Sequence, residues 1–310
     1  MVLYYYIKTI LKNPFYFPAF LIVLIIRIIR PIILIRFFWL DGARIGHLAG
    51  NPEQYMCEIK KGINKPKGLY LDFFYLTRIK QANKQLLKMW KRKLNILPQI
   101  ILQPIHTINN KLPGGSIHLI GHNSSHDRDI LNLFDEVPSH IYFTDEEIKI
   151  GEKFLKKIGI KDSDKIVCFN VRDSAYLNSI IPERDWSYHD FRNSDINDYM
   201  LAAQELTNRG YTIFRMGAKV SKKFTTNNPK IIDYATNGMR TEFLDIYLAY
   251  KCKFIVSTGS GWDAVAIKNF RKPTVYVNFS PLGFIDSYLN NLIFITKKYF
   301  DKNKKIILKH

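Results

Sequence analysis

The sequence predicts an α/β protein with two domains built on parallel sheets. Short runs of β-branched and aromatic residues alternate along the chain with stretches of helical periodicity, which is typical of parallel sheets covered by helices. The chain has 310 residues, and a typical domain has about 150. An apolar fraction of 47% with 24% charged residues excludes intrinsic disorder and fibrous architecture.

The charge balance predicts anionic partners. Lys and Arg number 46 and Asp and Glu 27, so the formal net charge is +19. Nucleotide phosphates, anionic lipid and nucleic acid all fit such a surface, and charge alone does not choose among them. The cysteines are far apart in apolar surroundings, which predicts buried thiols in a reducing compartment. They are Cys57, Cys168 and Cys252.

The N-terminal segment predicts a helix at a membrane surface. Residues 15–40 are very apolar, but arginines and a proline interrupt them. The longest uncharged stretch, 13–26, is shorter than the ~20 residues that cross a bilayer, and no small-residue cleavage site follows it. We therefore predict that residues 1–30 form a hydrophobic, amphipathic interfacial helix. The alternative is a helix packed on the protein's own core.

Aromatic rings of this segment are expected at the headgroup level and basic side chains on anionic lipid. The rings are Tyr4, Tyr5, Tyr6, Phe15, Tyr16 and Phe17, and the basic residues are Lys8, Lys12, Arg27 and Arg30.

The first domain is predicted over residues 31–160. Its strands are expected at 32–39, 69–75, 98–104 and 116–120, with a helix at 80–93. A helix at 145–158 closes the domain, because Thr144 and Glu147 form a capping-box pattern and Gly159 suits the exit. The polar segment 161–165 has the composition of a linker, so the boundary is placed there.

The second domain, 161–310, has the pattern of a doubly wound nucleotide-binding domain. Its strands are predicted at 166–171, 211–215, 230–234, 253–257 and 274–278, and its helices at 195–208, 241–251 and 261–269.

A serine-rich and glycine-rich turn follows the strand at 253–257. Its residues are Ser257, Thr258, Gly259, Ser260 and Gly261. Free N–H groups at the next helix and the hydroxyls predict an anion cradle. The alternative is an ordinary strand-to-helix turn with a serine cap.

Arginines at neighbouring strand ends predict a phosphate-binding rim. They are Arg172, Arg192 and Arg215. Asn170 and Gly217 accompany them, and in a doubly wound sheet these strand ends open onto one crevice. The alternative is local ion pairing with Asp173 or Asp190.

Other polar residues are candidates for sugar and acceptor contacts. Asp233 and Tyr234 lie at the end of the third predicted strand of the second domain and Asp245 in the helix after it, where contact with a ribose or sugar hydroxyl, capping or packing explains each of them. In the first domain, residues 41–51 read as a glycine-rich loop that carries His47 as a general base. A histidine that donates to a backbone carbonyl is the alternative.

A histidine-rich and aspartate-rich stretch raises the question of a metal. Its members are His118, His122, His126, Asp127 and Asp129. Their segment is predicted as a strand that runs into a turn, so helical facing does not apply and a polar loop at an interdomain cleft is favoured over a metal site.

Several blocks of sequence, in one order, resemble a family of largely uncharacterised bacterial glycosyltransferases. The blocks are RIGHLAGN at 44–51, FTDEE at 143–147, VCFNVRD at 167–173, YHDFRN at 188–193, RMG at 215–217 and FIVSTGSG at 254–261. The resemblance implies a GT-B-like pair of Rossmann-like domains facing a cleft, with the acceptor on the first and the nucleotide sugar on the second. The strand-end arginine and the serine-glycine turn also look like the diphosphate-binding features of GT-B fucosyltransferases.

The resemblance implies transfer of a sugar from a nucleotide-diphosphate sugar to a lipid-linked or polysaccharide acceptor in envelope polysaccharide biosynthesis. Such an enzyme would work in the cytoplasm, peripheral to the inner membrane, and need no metal or other cofactor. His47 would be the catalytic base. Arg44, Asn51, His189, Arg192 and Asp233 are the expected substrate contacts.

Alternatives remain open. An epimerase or pyruvyl transferase would share the phosphate-binding logic. A basic nucleic-acid-binding protein lacks support from any helix-turn-helix, zinc-finger or aromatic RNA-binding motif. Members of the resembling family extend beyond the position of His310, so an incomplete donor domain, and with it an inactive homologue, is also an expectation.

Overall fold

The fold is described from a computed structural model, over residues 16–77, 80–120, 128–180 and 182–308. The chain divides into two compact units, Met1–Asp127 and Arg128–His310. Both are α/β units with parallel strands, as the sequence predicts.

The first unit holds a three-stranded parallel sheet in the order β1-β2-β3. Its strands are β1 (Leu34–Leu40), β2 (Tyr70–Leu76) and β3 (Asn95–Ile96), and its helices are α1 (Tyr16–Ile28), α2 (Ile45–Lys60), α3 (Lys84–Lys91) and α4 (Gln99–Lys111). A parallel bridge between Phe37 and Leu119 adds a short strand contact on the free side of β1. The register pairs Arg36 with Asp72, and the two form a buried ion pair at 2.6 Å.

The helix α1 belongs to the core of the first unit on one face only. Ala19, Val23 and Ile26 are buried in a cluster with residues of α4 and the sheet. The guanidinium of Arg27 donates to the Pro113 carbonyl (2.7 Å) and to the Asn109 side chain (3.1 Å). Arg27 therefore faces the protein rather than lipid, which corrects the sequence-based expectation for this residue. The earlier residues of the predicted interfacial segment lie outside the described ranges.

Two strand predictions in the first unit are wrong. Residues 98–104 were predicted as a strand from their apolar run, but α4 begins at Gln99. Pro98 precedes the helix, and the buried residues Leu102, Ile105 and Ile108 recur with helical spacing. Residues 116–120 form a 3₁₀ turn, Gly115–His118, before the single bridge at Leu119.

The second unit is organised around a six-stranded parallel sheet in the order β6-β5-β4-β7-β8-β9. Its strands are β4 (Lys165–Asn170), β5 (Tyr211–Arg215), β6 (Ile231–Ile232), β7 (Phe254–Ser257), β8 (Thr274–Phe279) and β9 (Leu292–Thr296). A hairpin of β10 (Tyr299–Asp301) and β11 (Ile306–Leu308) follows. The helices are α5 (Leu133–Glu136), α6 (Asp145–Lys157), α7 (Ala175–Ile180), α8 (Met200–Asn208) and α9 (Glu242–Lys251), with 3₁₀ turns at Ser187–Arg192, Ile196–Tyr199 and Leu282–Phe284 and a π-helical turn at Val265–Asn269.

This strand order is that of a doubly wound dinucleotide-binding sheet. The chain moves outward from β4 to β5 and β6, then returns to the other side of β4 with β7, β8 and β9. The direction reverses between β4 and β7, and ligands of such sheets bind outside the carboxyl ends of the strands at this point. Buried Val167, Phe169 and Ile213 anchor the sheet in the core of the unit.

The division between the units falls earlier than the predicted boundary at residue 160. Arg271 donates to the carbonyls of Phe134 and Val137 at 3.0 Å each, which fixes the segment around α5 to the second unit. The helix α6 packs closely on α9 of the second unit, because a Cβ at Gly151 would lie only 2.1 Å from the Tyr247 ring. This contact also places α6 in the second unit. The capping box of Thr144 and Glu147 forms as predicted, but the helix it starts belongs to the second unit.

Candidate anion-binding site

The ends of β4 and β7 lie side by side at the point where the strand order reverses. Asn170 at the end of β4 pairs in register with Ser257 at the end of β7. The Arg172 backbone N–H donates to the Thr258 hydroxyl oxygen at 2.9 Å, so the two loops that leave these strands are joined. The structure thus brings together the predicted strand-end arginine and the predicted turn. Gly259 of the turn has φ +88°, a backbone conformation that favours glycine.

The turn at 257–261 is held from inside by Asp263, a residue that is not among those predicted from the sequence. The carboxylate of Asp263 accepts hydrogen bonds from the Ser260 N–H (2.6 Å), the Ser257 hydroxyl (2.7 Å) and the Asn170 amide (2.5 Å). The Gly259 N–H donates to the Ser257 hydroxyl at 3.1 Å. The predicted cradle is therefore filled in part by the protein's own carboxylate, and Ser257, Gly259 and Ser260 shape the turn rather than present free groups.

Burial raises the pKa of Asp263 to about 6, against the effect of its hydrogen bonds from Ser260, Asn170 and Ser257. The side chain is fully enclosed, so the cost of desolvating the carboxylate outweighs these bonds. The pattern Ser-x-x-Asp at 260–263 is the sequence signal for this contact, since a carboxylate at the third helical position accepts from the N-cap backbone N–H.

Arg172 is half-buried and its hydrogen-bond partners are neutral. One guanidinium nitrogen donates to the His189 carbonyl at 3.1 Å and to the Asn193 side-chain oxygen. Burial, and secondarily the charge of Arg192, lower the pKa of Arg172 to about 10, so it stays protonated at neutral pH. The charges of Asp190 and Asp173 act on Arg172 in the opposite direction, but neither carboxylate is hydrogen-bonded to it in the described residues. A cation whose direct acceptors are neutral keeps donors and charge for an anionic ligand.

The 3₁₀ turn Ser187–Arg192 packs beside Arg172. Within it, Arg192 lies 3.0 Å from Nδ1 of His189, and the rings of Tyr188 and His189 have centroids 4.0 Å apart. The predicted substrate contacts His189 and Arg192 are thus brought next to Arg172.

Arg215 is placed differently from its prediction. It ends β5, but its side chain is only 1% exposed and its Nη1 lies 3.1 Å from Asp233. Asp233 also accepts from the Phe224 N–H (3.0 Å) and the Thr236 hydroxyl (2.5 Å). The pair is neutralised inside the fold, which argues against a diphosphate contact for Arg215 and a sugar contact for Asp233. Gly217 has φ +151°, and a Cβ there would lie 2.5 Å from Val220.

The sequence predicted only part of a polar cluster between β6 and α9, since Arg240 was not among the candidate residues. Asp245, on α9, accepts from Arg240 (2.6 Å) and from the Tyr234 hydroxyl (3.1 Å). Burial raises the pKa of Asp245 to about 6, while the charge of Arg240 acts in the opposite direction. Arg240 carries no motif of its own. Its only signal in the sequence is its position directly before the N-cap of α9, Thr241.

The predicted acceptor residues of the first unit lie at the start of α2. Residues 45–51 are helical, so the expected loop is limited to positions 41–44. Arg44 is the N-cap residue, and half-buried His47 lies in the first turn of α2, which follows the carboxyl end of β1 after the four residues of this loop. The side-chain oxygen of Asn51 is buried and, among the described residues, has no hydrogen-bond partner. The role of His47 as general base stays a prediction.

The histidines and aspartates considered above as metal ligands lie partly in the described residues and partly outside them. His118 is 1% exposed, and its Nδ1 lies 2.7 Å from the Ile35 carbonyl oxygen. Burial lowers its pKa, which favours the neutral ring. Asp129 caps α5 by accepting from the backbone of Leu133 and Phe134. His122, His126 and Asp127 lie outside the described residues.

Comparison with solved structures identifies glycosyltransferases of similar fold. The glycosyl transferase family 9 protein from Veillonella parvula DSM 2008 aligns with a TM-score of 0.50 and 12% identity, over 86% of this chain and 86% of its own. The chain shares this fold. No protein-family model matches the sequence, and no curated protein matches it significantly.

Two further solved structures align less well. The E. coli ADP-heptose LPS heptosyltransferase II gives a TM-score of 0.49 at 12% identity, over 86% of this chain and 91% of its own. The iron-containing dodecameric glycosyltransferase TibC from enterotoxigenic E. coli gives 0.41 at 11% identity, over 86% of this chain and 62% of its own.

Proposed function

We propose that this protein is a glycosyltransferase that takes a sugar from a nucleotide-diphosphate sugar and passes it to a lipid-linked or polysaccharide acceptor in bacterial envelope biosynthesis. One observation carries the proposal: Arg172 and the 257–261 turn are joined, at 2.9 Å, where the doubly wound strand order reverses. Such a sheet binds nucleotides at this place. The fold shared with a family 9 glycosyltransferase supports the same reaction class.

Arg172 is the group proposed to bind the diphosphate. Departure of a nucleoside diphosphate places negative charge on the leaving phosphate, and a fixed cation stabilises that charge in the transition state. Arg172 is suited to this because its hydrogen bonds go to the His189 carbonyl and to Asn193, which position it, while the carboxylates of Asp190 and Asp173 act on it only from a distance. Arg192 adds a second positive charge beside it.

The proposal is tested by nucleotide binding. Thermal unfolding is followed with ADP, GDP, UDP and CMP and with the corresponding sugars, for the wild type and for Arg172→Ala. A nucleotide at a hundred times its Kd stabilises the folded state by about 2.7 kcal/mol. We expect one nucleoside diphosphate to stabilise the wild type and not the variant. Arg209→Gln is the matched control, because Arg209 forms an exposed ion pair with Glu205.

Failure of all these nucleotides to stabilise the wild type would overturn the proposal. If one binds, acceptor-dependent release of the nucleoside diphosphate separates a transferase from an epimerase, which alters the sugar without releasing it to an acceptor.

The membrane surface is the proposed place of work. No helix among the described residues is long and apolar enough to cross a bilayer. The outward face of α1 nevertheless exposes large apolar side chains. They include Phe17 (62% exposed), Leu21 (46%), Ile25 (57%) and Ile28 (76%). A helix packed on the core by one face and apolar on the other suits the headgroup boundary of a bilayer, and exposed Arg30 suits anionic lipid. This supports binding at a membrane surface, which we propose is the cytoplasmic face of the inner membrane.

Vesicle co-sedimentation tests this location. The wild type is expected to bind phosphatidylcholine vesicles more tightly when phosphatidylglycerol is added, and the double variant Ile25→Ser, Ile28→Ser to bind less. Ile150→Ser is the control, since Ile150 of α6 is also 57% exposed. Equal binding by the double variant and the control would contradict a role for α1.

A further inference from the structure

A second arginine, Arg240, lies at the same edge of the six-stranded sheet as Arg172. It follows β6 and directly precedes Thr241, whose hydroxyl caps α9 by accepting from the Leu244 N–H at 3.1 Å. All strands of this sheet are parallel, so their carboxyl ends lie along one edge. The loops after β4, β6 and β7 therefore emerge on the same side of the unit.

A chain of contacts ties Arg240 to the glycine-rich turn. Arg240 Nη2 donates to Asp245 at 2.6 Å. The indole N–H of Trp262, which directly follows Gly261, donates to the backbone carbonyl of Asp245 at 2.9 Å. The first turn of α9 is thus fixed against the segment that begins with the 257–261 turn.

Arg240 also lies near α7, the helix that follows Arg172. Burial raises the pKa of Tyr176 on α7, and the charges of Arg240 and Asp245 act on it in opposite directions. Tyr176 is therefore within electrostatic range of both groups. Arg240 is thus within electrostatic range of Tyr176 on α7, which follows β4, and is joined through Asp245 to the segment that follows β7.

The guanidinium of Arg240 remains partly available. Its side chain is 29% exposed, whereas that of Arg215 is 1% exposed. The Nε atom of Arg240 is buried and has no hydrogen-bond partner among the described residues. Asp245 orients the side chain through Nη2 and is itself held by the Tyr234 hydroxyl.

We propose that Arg240 is a second cation for the diphosphate of the nucleotide ligand, in the role that the sequence assigned to Arg215. The inference rests on the proposed function, since it concerns the same ligand and the same edge of the sheet. The two phosphate groups of a diphosphate can contact two cations, and one guanidinium can bind two phosphate oxygens at once. Asp245 is then a positioning residue for Arg240.

Binding of inorganic pyrophosphate and inorganic phosphate tests the inference by calorimetry, together with ADP, GDP and UDP. Arg240→Gln keeps a donor toward Asp245 but removes the charge. We expect it to weaken pyrophosphate binding about tenfold, the size of one charge-assisted hydrogen bond, and phosphate binding less. Arg240→Lys should recover part of the loss, and Arg209→Gln should bind as the wild type does.

Unchanged pyrophosphate affinity in Arg240→Gln would overturn the inference, while a loss in Arg172→Ala alone would leave the proposed function standing. A wild type that binds neither pyrophosphate nor any of the three nucleotides would overturn both. An equal loss of pyrophosphate and phosphate binding in Arg240→Gln, with no recovery in Arg240→Lys, would show a structural role only. Far-ultraviolet circular dichroism of each variant establishes that it is folded.

Discussion

The neighbouring strands β4 and β5 each lead into an arginine, yet the two arginines are in opposite situations. Arg172 is half-buried, and its hydrogen bonds go to a carbonyl and an amide oxygen. Arg215 is buried against the carboxylate of Asp233. The comparison teaches that the partner and the exposure that remains, rather than the strand-end position, decide whether a guanidinium can serve a ligand. A carboxylate that encloses the cation within the fold neutralises it, whereas neutral oxygens orient it and leave its charge. Arg240 also pairs with a carboxylate, but 29% of its side chain stays exposed, against 1% for Arg215.

The largest expected effect is a loss of stability on breaking the ion pair between Arg215 and Asp233. Arg215→Ala leaves the carboxylate of Asp233 nearly buried without its cation, which typically costs about 3–5 kcal/mol of unfolding free energy. Urea unfolding followed by circular dichroism measures it. Arg209→Ala, which breaks the exposed pair with Glu205, should cost less than about 1 kcal/mol. If the two variants lose equal stability, Arg215 is not the structural member of the comparison.

The next largest effect is expected from Asp263, whose carboxylate binds Asn170 at the end of β4. Asp263 takes its hydrogen bonds from the uncharged donors of Ser260, Ser257 and Asn170. Burial raises its pKa to about 6, above the ~3.9 of an unfolded chain. Between these values the folded protein binds a proton that the unfolded chain does not, so this group stabilises the fold as pH falls through that window and ceases to do so above about pH 6.

Asp263→Asn cannot titrate and removes this contribution. From about pH 6 to pH 4 its unfolding free energy should gain less than that of the wild type, by up to about 2 kcal/mol. Asp245, whose pKa is also raised to about 6, contributes equally to both proteins and drops out of the difference. Parallel pH profiles for wild type and variant, measured by urea unfolding, would contradict the raised pKa of Asp263.

The smallest effect is expected from a variant in which Arg172, like Arg215, has a carboxylate partner. Asn193→Asp gives Arg172 a carboxylate partner. In the wild type the Asn193 amide donates to the Asp190 carboxylate at 2.8 Å. The double variant Asn193→Asp, Asp190→Asn therefore keeps an amide beside a carboxylate at these two positions, with the two groups exchanged. We expect nucleotide affinity of the double variant to fall roughly tenfold, about 1.4 kcal/mol, with little change in stability. Calorimetric titration with the nucleotide that stabilises the wild type measures it. Unchanged affinity would mean that neutral partners are not what keeps Arg172 available.

The fold of the second unit was largely predictable, because its strands are continuous apolar runs with clear stops. Gly210, at φ +85°, ends the turn before β5 as a glycine stop should. In the first unit the same logic failed at α4, where an apolar run looked like a strand although Pro98 and the later spacing marked a helix. At 45–51 the glycines suggested a loop, but Gly46 and Gly50 lie inside α2, and Gly50 is buried.

The candidate site was predictable as a place and less so as a set of roles. Strand order sets the place, since parallel strands that end together put Arg172 beside the 257–261 turn. The roles depend on partners distant in sequence. Nothing near Arg215 indicates that Asp233 will neutralise it, and nothing near Arg240 indicates that Asp245 and Trp262 will fix it against the turn.

The internal bonding of the 257–261 turn has a consequence for how fast a ligand is captured. Asp263 accepts from the Ser260 backbone N–H and Asn170 donates to the Ser260 hydroxyl, so the turn is already held in one shape and an arriving nucleotide does not have to order it. Little conformational entropy is then lost on binding, and association should be limited by encounter and orientation rather than by loop rearrangement. With a net charge of +19, the encounter rate for an anionic nucleotide should fall as salt is added.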